Sequence, residues 1–225
     1  MQYERIKRGY FIARPNRFIA QVEVDGEIKI CHVKNTGRCR ELLMPRATVI
    51  LAKGEAPNRK TEYDLVAVYK GERLINLDSQ APNAAFGEWV RKGGYFPDLT
   101  YVKAECTYGS SRFDFYLETE TRKIFVEVKG VTLEQDGVVM FPDAPTERGA
   151  KHLRELADAV KKGYEAYIFF VIQMDECHYF TPNRRTDPNF ARALEQAAAE
   201  GVQLRAVTCR VYENGMEISD FAEIR

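Results

Sequence analysis

Asp114, Glu127 and Lys129 are the residues of this chain best suited to chemistry by type and spacing. They lie in two β-rich stretches, Ser111-Arg112-Phe113-Asp114-Phe115-Tyr116-Leu117 and Lys123-Ile124-Phe125-Val126-Glu127-Val128-Lys129-Gly130. Each stretch is otherwise apolar enough to be buried in a sheet. An unpaired charge buried there costs several kcal/mol, so carboxylates in these positions need a partner. Strand side chains alternate, so Glu127 and Lys129 share a face, while Phe113 and Phe115 are expected to fill the side opposite Asp114. The polar link Glu118-Thr119-Glu120-Thr121-Arg122 suits a hairpin, and pairing the two strands brings Asp114 close to Glu127. Two carboxylates can hold one hard cation such as Mg2+ or Mn2+ through oxygen. Lys129 then lies where it can orient an attacking water, hold a phosphate or offset transition-state charge. That is the arrangement of a metal-dependent phosphodiesterase. The alternative is an Asp–Lys salt bridge on a half-exposed sheet.

These residues must be positioned by elements that the sequence also outlines. The first eighty residues read as strand after strand. Phe18 to Val24 alternates, Asp25-Gly26 supplies a tight turn, and Glu27 to Val33 returns. Ala47 to Ala52 is another strand, and Asp64 to Asn76 folds back at Lys70-Gly71. Short strands with no long helical pattern suit a small OB-like β-barrel over 1–80. From residue 81 the pattern alternates helix and strand. A helix runs from Asn83, read as its cap, to Lys92, followed by strands at Tyr101–Tyr108, Arg112–Leu117 and Ile124–Lys129. Thr146 caps a long helix to about Lys162, Tyr167–Gln173 is a central buried strand, and a helix from Asp187 and a strand from Val202 close the chain. The expected fold is mixed α/β, with the barrel followed by an α/β domain over 81–225.

The chain has 225 residues, 45% hydrophobic and 29% charged, with no apolar run approaching the ~20 residues of a membrane span. No apolar signal core opens it, and five scattered cysteines without a Cys-x-x-Cys point to reduced thiols and a cytoplasmic setting. Net charge is zero but unevenly spread. Residues 1–80 hold fifteen Lys and Arg against ten Asp and Glu, a balance of +5, and the remainder carries −5. The basic part suits nucleic-acid phosphates, although such a patch is also compatible with an ordinary solvated surface. Arg17 lies among its aromatics. Asn35-Thr36-Gly37-Arg38-Cys39-Arg40 reads as a loop entering a short helix, where backbone N–H groups with Arg38 and Arg40 can contact a phosphate.

The order of helices and strands, with Asp114 and Glu127-x-Lys129 on successive strands, resembles the PD-(D/E)xK nuclease fold. The blocks Asn35-Thr36-Gly37-Arg38, Glu41-Leu42-Leu43, Tyr108-Gly109, Ser111 to Phe115, Glu127 to Leu133 and Phe141 to Leu156 resemble the sugar fermentation stimulation protein family. The resemblance implies an OB-like N-terminal domain, a C-terminal domain with a restriction-endonuclease-like core, DNA binding and a regulatory role in sugar metabolism. It places Asp114, Glu127 and Lys129 on the nuclease motif, and Glu88 where such folds often add an acidic ligand. An ordinary solvated helix glutamate is the other reading of Glu88. Arg148 and Lys151 share one face near a helix N-terminus and suit a scissile phosphate, or else form a basic surface turn. His152 beside them is either part of that group or a core histidine. Arg46, after Pro45, stands where the family more often has glycine. Two functions follow: a Mg2+- or Mn2+-dependent nuclease acting on single-stranded or duplex DNA, or a DNA-binding regulator that retains the nuclease scaffold without cutting.

Overall fold

The structure is a computed structural model describing residues 1–35, 37–54 and 59–225. Five strands close the N-terminal barrel: β1 (Ile6–Asn16), β2 (Ile19–Val24), β3 (Glu27–Val33), β4 (Thr48–Lys53) and β5 (Tyr63–Lys70). Their order is β3-β2-β1-β4-β5, and parallel pairing of Cys31–Val33 with Tyr63–Leu65 closes the ring. β6 (Arg73–Asn76) folds back on β5. Alternation explains the barrel's filling: Ala20, Val22, Val24, Cys31 and Val33 are buried, whereas Ile28 and Ile30 face outward. β1 is not among the strands that the sequence predicts. Its run of Arg8, Tyr10, Ile12 and Arg14 has no clean apolar alternation. The barrel exists because β1 pairs with both β2 and β4. Arg46 has φ 69°, a left-handed conformation in which glycine carries no Cβ penalty. Its guanidinium pairs with Glu23 and lies over the Tyr10 ring, 4.7 Å from the centroid.

The C-terminal part opens with helix α1 (Ala81–Arg91). A mixed sheet follows, built from β7 (Tyr101–Tyr108), β8 (Ser111–Glu118) and β9 (Lys123–Val131). Next come β10 (Leu133–Gln135), β11 (Val138–Phe141), α2 (Glu147–Lys161), β12 (Glu165–Ile172), β13 (Tyr179–Pro182), α3 (Pro188–Ala199), β14 (Gln203–Tyr212) and β15 (Gly215–Phe221). The main sheet runs β15-β14-β12-β9-β8-β7, and β10-β11-β13 form a small one. α1 buries Ala85, Phe86 and Val90 against one face, with Phe115, Val126, Val128 and Phe169. α2 and α3 bury Leu153, Leu156, Phe190 and Leu194 against the other, with Phe113, Phe125, Ile168 and Phe170. Thr146 Oγ1 and the Asp187 carboxylate accept from Gly149 N and Phe190 N, as helix caps should. Asn83 is not a cap: Gln80 holds that place, leaving the Asn83 side chain free for another partner.

The two parts share one continuous core, in which Leu65, Ile75 and Leu77 of the barrel join Phe170, Met174 and Phe180. Gln173 Nε2 donates to Asn76 O, Asn76 Oδ1 and Asp78 O across the junction. A second tie is Glu134, whose side chain is only 6% exposed. Its carboxylate accepts from Lys70 Nζ and Gly137 N, both at 2.5 Å, with Arg73 at 3.4 Å. Burial pushes this carboxyl up, but Lys70, the Gly137 N–H and Arg73 outweigh burial and leave it below its ordinary value. A lowered folded pKa means that the pair stabilises the protein above about pH 4.3, and that this contribution vanishes as pH falls through the folded value. Glu134→Gln should therefore lower unfolding free energy by about 1–3 kcal/mol at neutral pH. Urea titrations should show the gap between parent and variant closing in acid. A gap of equal size at both pH values would mean that the charge of Glu134 contributes nothing.

Candidate active site

The candidate site forms where β8 and β9 part. Their ladder ends at Phe115↔Val126, one residue short of Asp114 and Glu127. Beyond that point β9 stays in register with the central strand β12, with Glu127 opposite Ile168 and Lys129 opposite Phe170. Phe113 lies in the core on the α2 face and Phe115 in the core on the α1 face. Alternation therefore breaks at Asp114, and the two phenylalanines do not fill one side as expected. The carboxylate of Asp114 reaches β9 and α1. Its Oδ2 accepts the Val128 N–H at 2.8 Å, and its Oδ1 accepts Asn83 Nδ2 of α1 at 2.7 Å. Asn83 is a site residue that the sequence reading took for a helix cap. Its one available signal was a position in the first turn of the helix that leads into the sheet.

Glu127 is more deeply enclosed, with a side chain 3% exposed. Oε1 accepts two donors, Lys129 Nζ and His152 Nδ1, both at 2.5 Å. Oε2 is buried with no hydrogen-bond partner among the described residues. Environment drives the two carboxyls apart. Burial and the neighbouring charge of Glu127 push Asp114 above its ordinary value, against the Val128 N–H, Lys129 and Asn83. Burial also acts upward on Glu127, but the His152 hydrogen bond and the Lys129 charge outweigh it and hold Glu127 below its ordinary value. Opposed shifts in one pair of acids are a mark of functional sites, though structural ion-pair networks produce them too.

The other candidate residues are placed as follows. Glu88 does not join the carboxylates: it is half-exposed, and its Oε2 accepts from the Met1 ammonium at 2.8 Å. The α1 residue that reaches Asp114 is five positions earlier. Arg148 is exposed at the start of α2, and its Nε donates to His152 Nε2 at 3.3 Å. Lys151 Nζ reaches Ser110 O at 3.2 Å in the β7–β8 turn. On the barrel, Arg17, Arg38 and Arg40 are exposed. Thr36 of the Asn35–Arg38 run lies outside the described residues. The rest of that run is held by Arg14, whose guanidinium donates to the carbonyls of Asn35 (2.6 Å), Gly37 (2.9 Å), Arg38 (2.8 Å) and Arg17 (2.7 Å). Arg38 N also donates to Asp143 Oδ2 at 2.9 Å, tying the barrel loop to the approach to α2. A cleft of about 170 Å3 lies between them, lined by Asn35, Gly37, Gly130, Thr132, Asp143 and Gln173. It begins one residue beyond Lys129, so the barrel loop and the carboxylate site border one region.

The donor set is all oxygen, and the buried Glu127 Oε2 together with the uncommitted lone pairs of Asp114 fits a hard divalent cation. Among the described residues no group of three or more His, Cys, Asp and Glu is arranged to hold a metal. Two carboxylates suit a cation that keeps waters or substrate phosphate as its other ligands, as Mg2+ commonly does. No helix among the described residues is long and apolar enough to cross a membrane.

An OB-like barrel joined to an α/β domain, with paired carboxylates where two interior strands of its sheet part, is the class that the fold and site define. Family comparison agrees with it. Residues 12–77 match the "SfsA N-terminal OB domain" and residues 80–215 the "Sugar fermentation stimulation protein RE domain". The chain belongs to the sugar fermentation stimulation protein family. It is 59% identical to a sugar fermentation stimulation protein homolog of Desulfitobacterium hafniense strain Y51, over 100% of this chain and 98% of the relative. A homolog from Clostridium beijerinckii is 54% identical, over 100% of this chain and 99% of the other. The solved structure of Pyrococcus furiosus SfsA in complex with Ca2+ superposes with a TM-score of 0.92 at 26% identity, covering 100% of this chain and 98% of that one.

Proposed function

We propose that the protein is a cytoplasmic, DNA-binding, metal-dependent phosphodiesterase whose cation site is Asp114 and Glu127. The observation that carries this reading is the buried Glu127 Oε2, without a partner among the described residues, beside a second carboxylate and a lysine. Leaving a buried carboxylate oxygen unmet costs about 1–3 kcal/mol or more, which a bound cation removes. That the related Pyrococcus furiosus protein was solved with Ca2+ adds support, since Ca2+ is likewise an oxygen-seeking cation. When bound, a divalent cation supplies charge neutralisation at the phosphate and lowers the pKa of water. The chain's own part is to hold and orient. Asn83 and Val128 N–H fix Asp114, while Lys129 stands beside Glu127 where an ammonium can steady the attacking water or the charge gathering on the phosphate oxygens. Water adds to phosphorus, one P–O ester bond breaks, and the departing oxygen takes a proton. Arg148 and Lys151 flank the site and Arg17, Arg38 and Arg40 extend the positive surface across the barrel, so both can track the strand's phosphates.

The second reading, a DNA-binding regulator of sugar metabolism genes that does not cut, is favoured by the lack of a third acidic ligand among the described residues and by the family's name. Titration of the full chain with Mn2+ in a calorimeter separates the two. Binding should be evident in the parent and weaken at least about 100-fold in Glu127→Gln and Asp114→Asn, since loss of a direct ligand exceeds the 10–100-fold typical of supporting residues. The parent should cut single-stranded, duplex or branched DNA with Mg2+ or Mn2+ and stop with EDTA. DNA binding without Mn2+ binding or cleavage would establish the regulator instead.

A further inference from the structure

We propose that His152, steadied by Arg148, is a positioning residue that turns the Glu127 carboxylate so that Oε1 belongs to the protein and Oε2 is left for the cation. The inference rests on the metal-site reading above. His152 is buried, with Nδ1 2.5 Å from Glu127 Oε1 and Nε2 accepting Arg148 Nε at 3.3 Å. An imidazole nitrogen that accepts from a guanidinium carries no proton, so the hydrogen-bond network assigns the proton to Nδ1, which donates to Glu127. Arg148 and His152 are four apart on α2 and so lie on one face. α2 itself is anchored in the core by Leu153, Leu156 and Ala157, which follow His152 along the helix. The imidazole is flat, packed edge-on against Phe113 with centroids 6.2 Å apart and an interplanar angle of 87°, and so offers one fixed direction for its N–H.

Lys129 cannot do this alone. Its ammonium sits on a flexible stem with freely rotating donors, and it fixes charge better than direction. The asymmetry is the informative feature: two donors converge on Oε1 and, among the described residues, none meets Oε2. Holding one oxygen from behind while baring the other is what ligand-supporting groups do around metal sites.

Mn2+ affinity of the full-length parent, His152→Ala and His152→Asn, read from loss of the free Mn2+ spin-resonance signal, tests this. The Asn side chain keeps an N–H that reaches toward Oε1, while both substitutions remove the ring. His152→Ala should weaken Mn2+ about 10–100-fold, and His152→Asn should recover most of that loss. The metal-free parent, measured by 15N NMR, should show His152 protonated on Nδ1 with Nε2 bare. Equal Mn2+ affinity in His152→Ala and the parent overturns the proposal, as do equal losses in both variants or a proton on Nε2. If His152→Ala does not fold, the Asn variant and the tautomer decide. A parent that binds no Mn2+ overturns the metal-site reading and this proposal with it. A parent that binds Mn2+ irrespective of residue 152 overturns this proposal alone.

Discussion

Lys129→Ala should reduce DNA cleavage about 100- to 1,000-fold while changing DNA affinity by no more than about threefold. The ammonium lies 2.5 Å from Glu127 Oε1 with a side chain only 16% exposed, so it is turned to the site interior. Its interaction with the phosphate strengthens only as charge accumulates in the transition state, and such a loss falls on kcat more than on KM. Mn2+ affinity should hold or improve, because the substitution removes a like charge next to the cation. Single-turnover cleavage, fluorescence anisotropy and calorimetry on the same preparation separate these effects. A variant that cuts as fast as the parent would make Lys129 a counter-ion of Glu127 and nothing more. A variant that loses affinity in step with cleavage would make it a ground-state phosphate contact.

Arg14→Ala should weaken DNA binding about 10- to 100-fold although Arg14 is spent on the protein itself. Its guanidinium meets four carbonyls, of Arg17, Asn35, Gly37 and Arg38. Those bonds hold the segment that presents Arg17, Arg38 and Arg40. With hydrogen bonds to charged groups contributing about 1.5–3 kcal/mol each in favourable cases, and the site part-exposed, the variant should lose about 3 kcal/mol of stability. Arg14→Lys should not restore it, since an ammonium cannot reach four acceptors in a fixed fork. Arg38→Ala, by contrast, should leave stability alone and reduce the salt dependence of log affinity by about 0.7–0.9, the share of one phosphate contact. Urea unfolding and a salt series of anisotropy titrations make the comparison. Parent-like affinity in Arg14→Ala would show that this segment does not grip the strand.

Much of this protein is legible along the chain because the relevant physics is local. Thr146 and Asp187 cap their helices in the sequence as in the fold, since a cap needs only a side-chain oxygen and an N–H two or three residues on. The unbroken apolar run at β12 announces a central strand, because a strand covered on both faces has no polar side to show. Glu127 and Lys129 must share a face wherever the strand lies. Long-range pairing decided the rest. β1 became a barrel strand through two partners that its own pattern does not reveal. Asn83 turned from a supposed cap into the support of Asp114 because α1 packs over the splayed end of the β8–β9 ladder. Glu88 has the right type for a ligand but lies half-exposed, its carboxylate meeting the Met1 ammonium. His152, readable from the sequence either as a core histidine or as part of the basic group, is buried and meets Glu127, because the face that buries α2 against the sheet is the face that meets that carboxylate. The sequence by itself determined which residues can carry charge into the sheet and that Glu127 and Lys129 share a face, because backbone geometry sets that within two residues of a regular strand. Only the tertiary structure decided which oxygen of Glu127 is satisfied and which is left bare among the described residues, because that depends on a donor twenty-five residues away, His152, brought in by the packing of one helix.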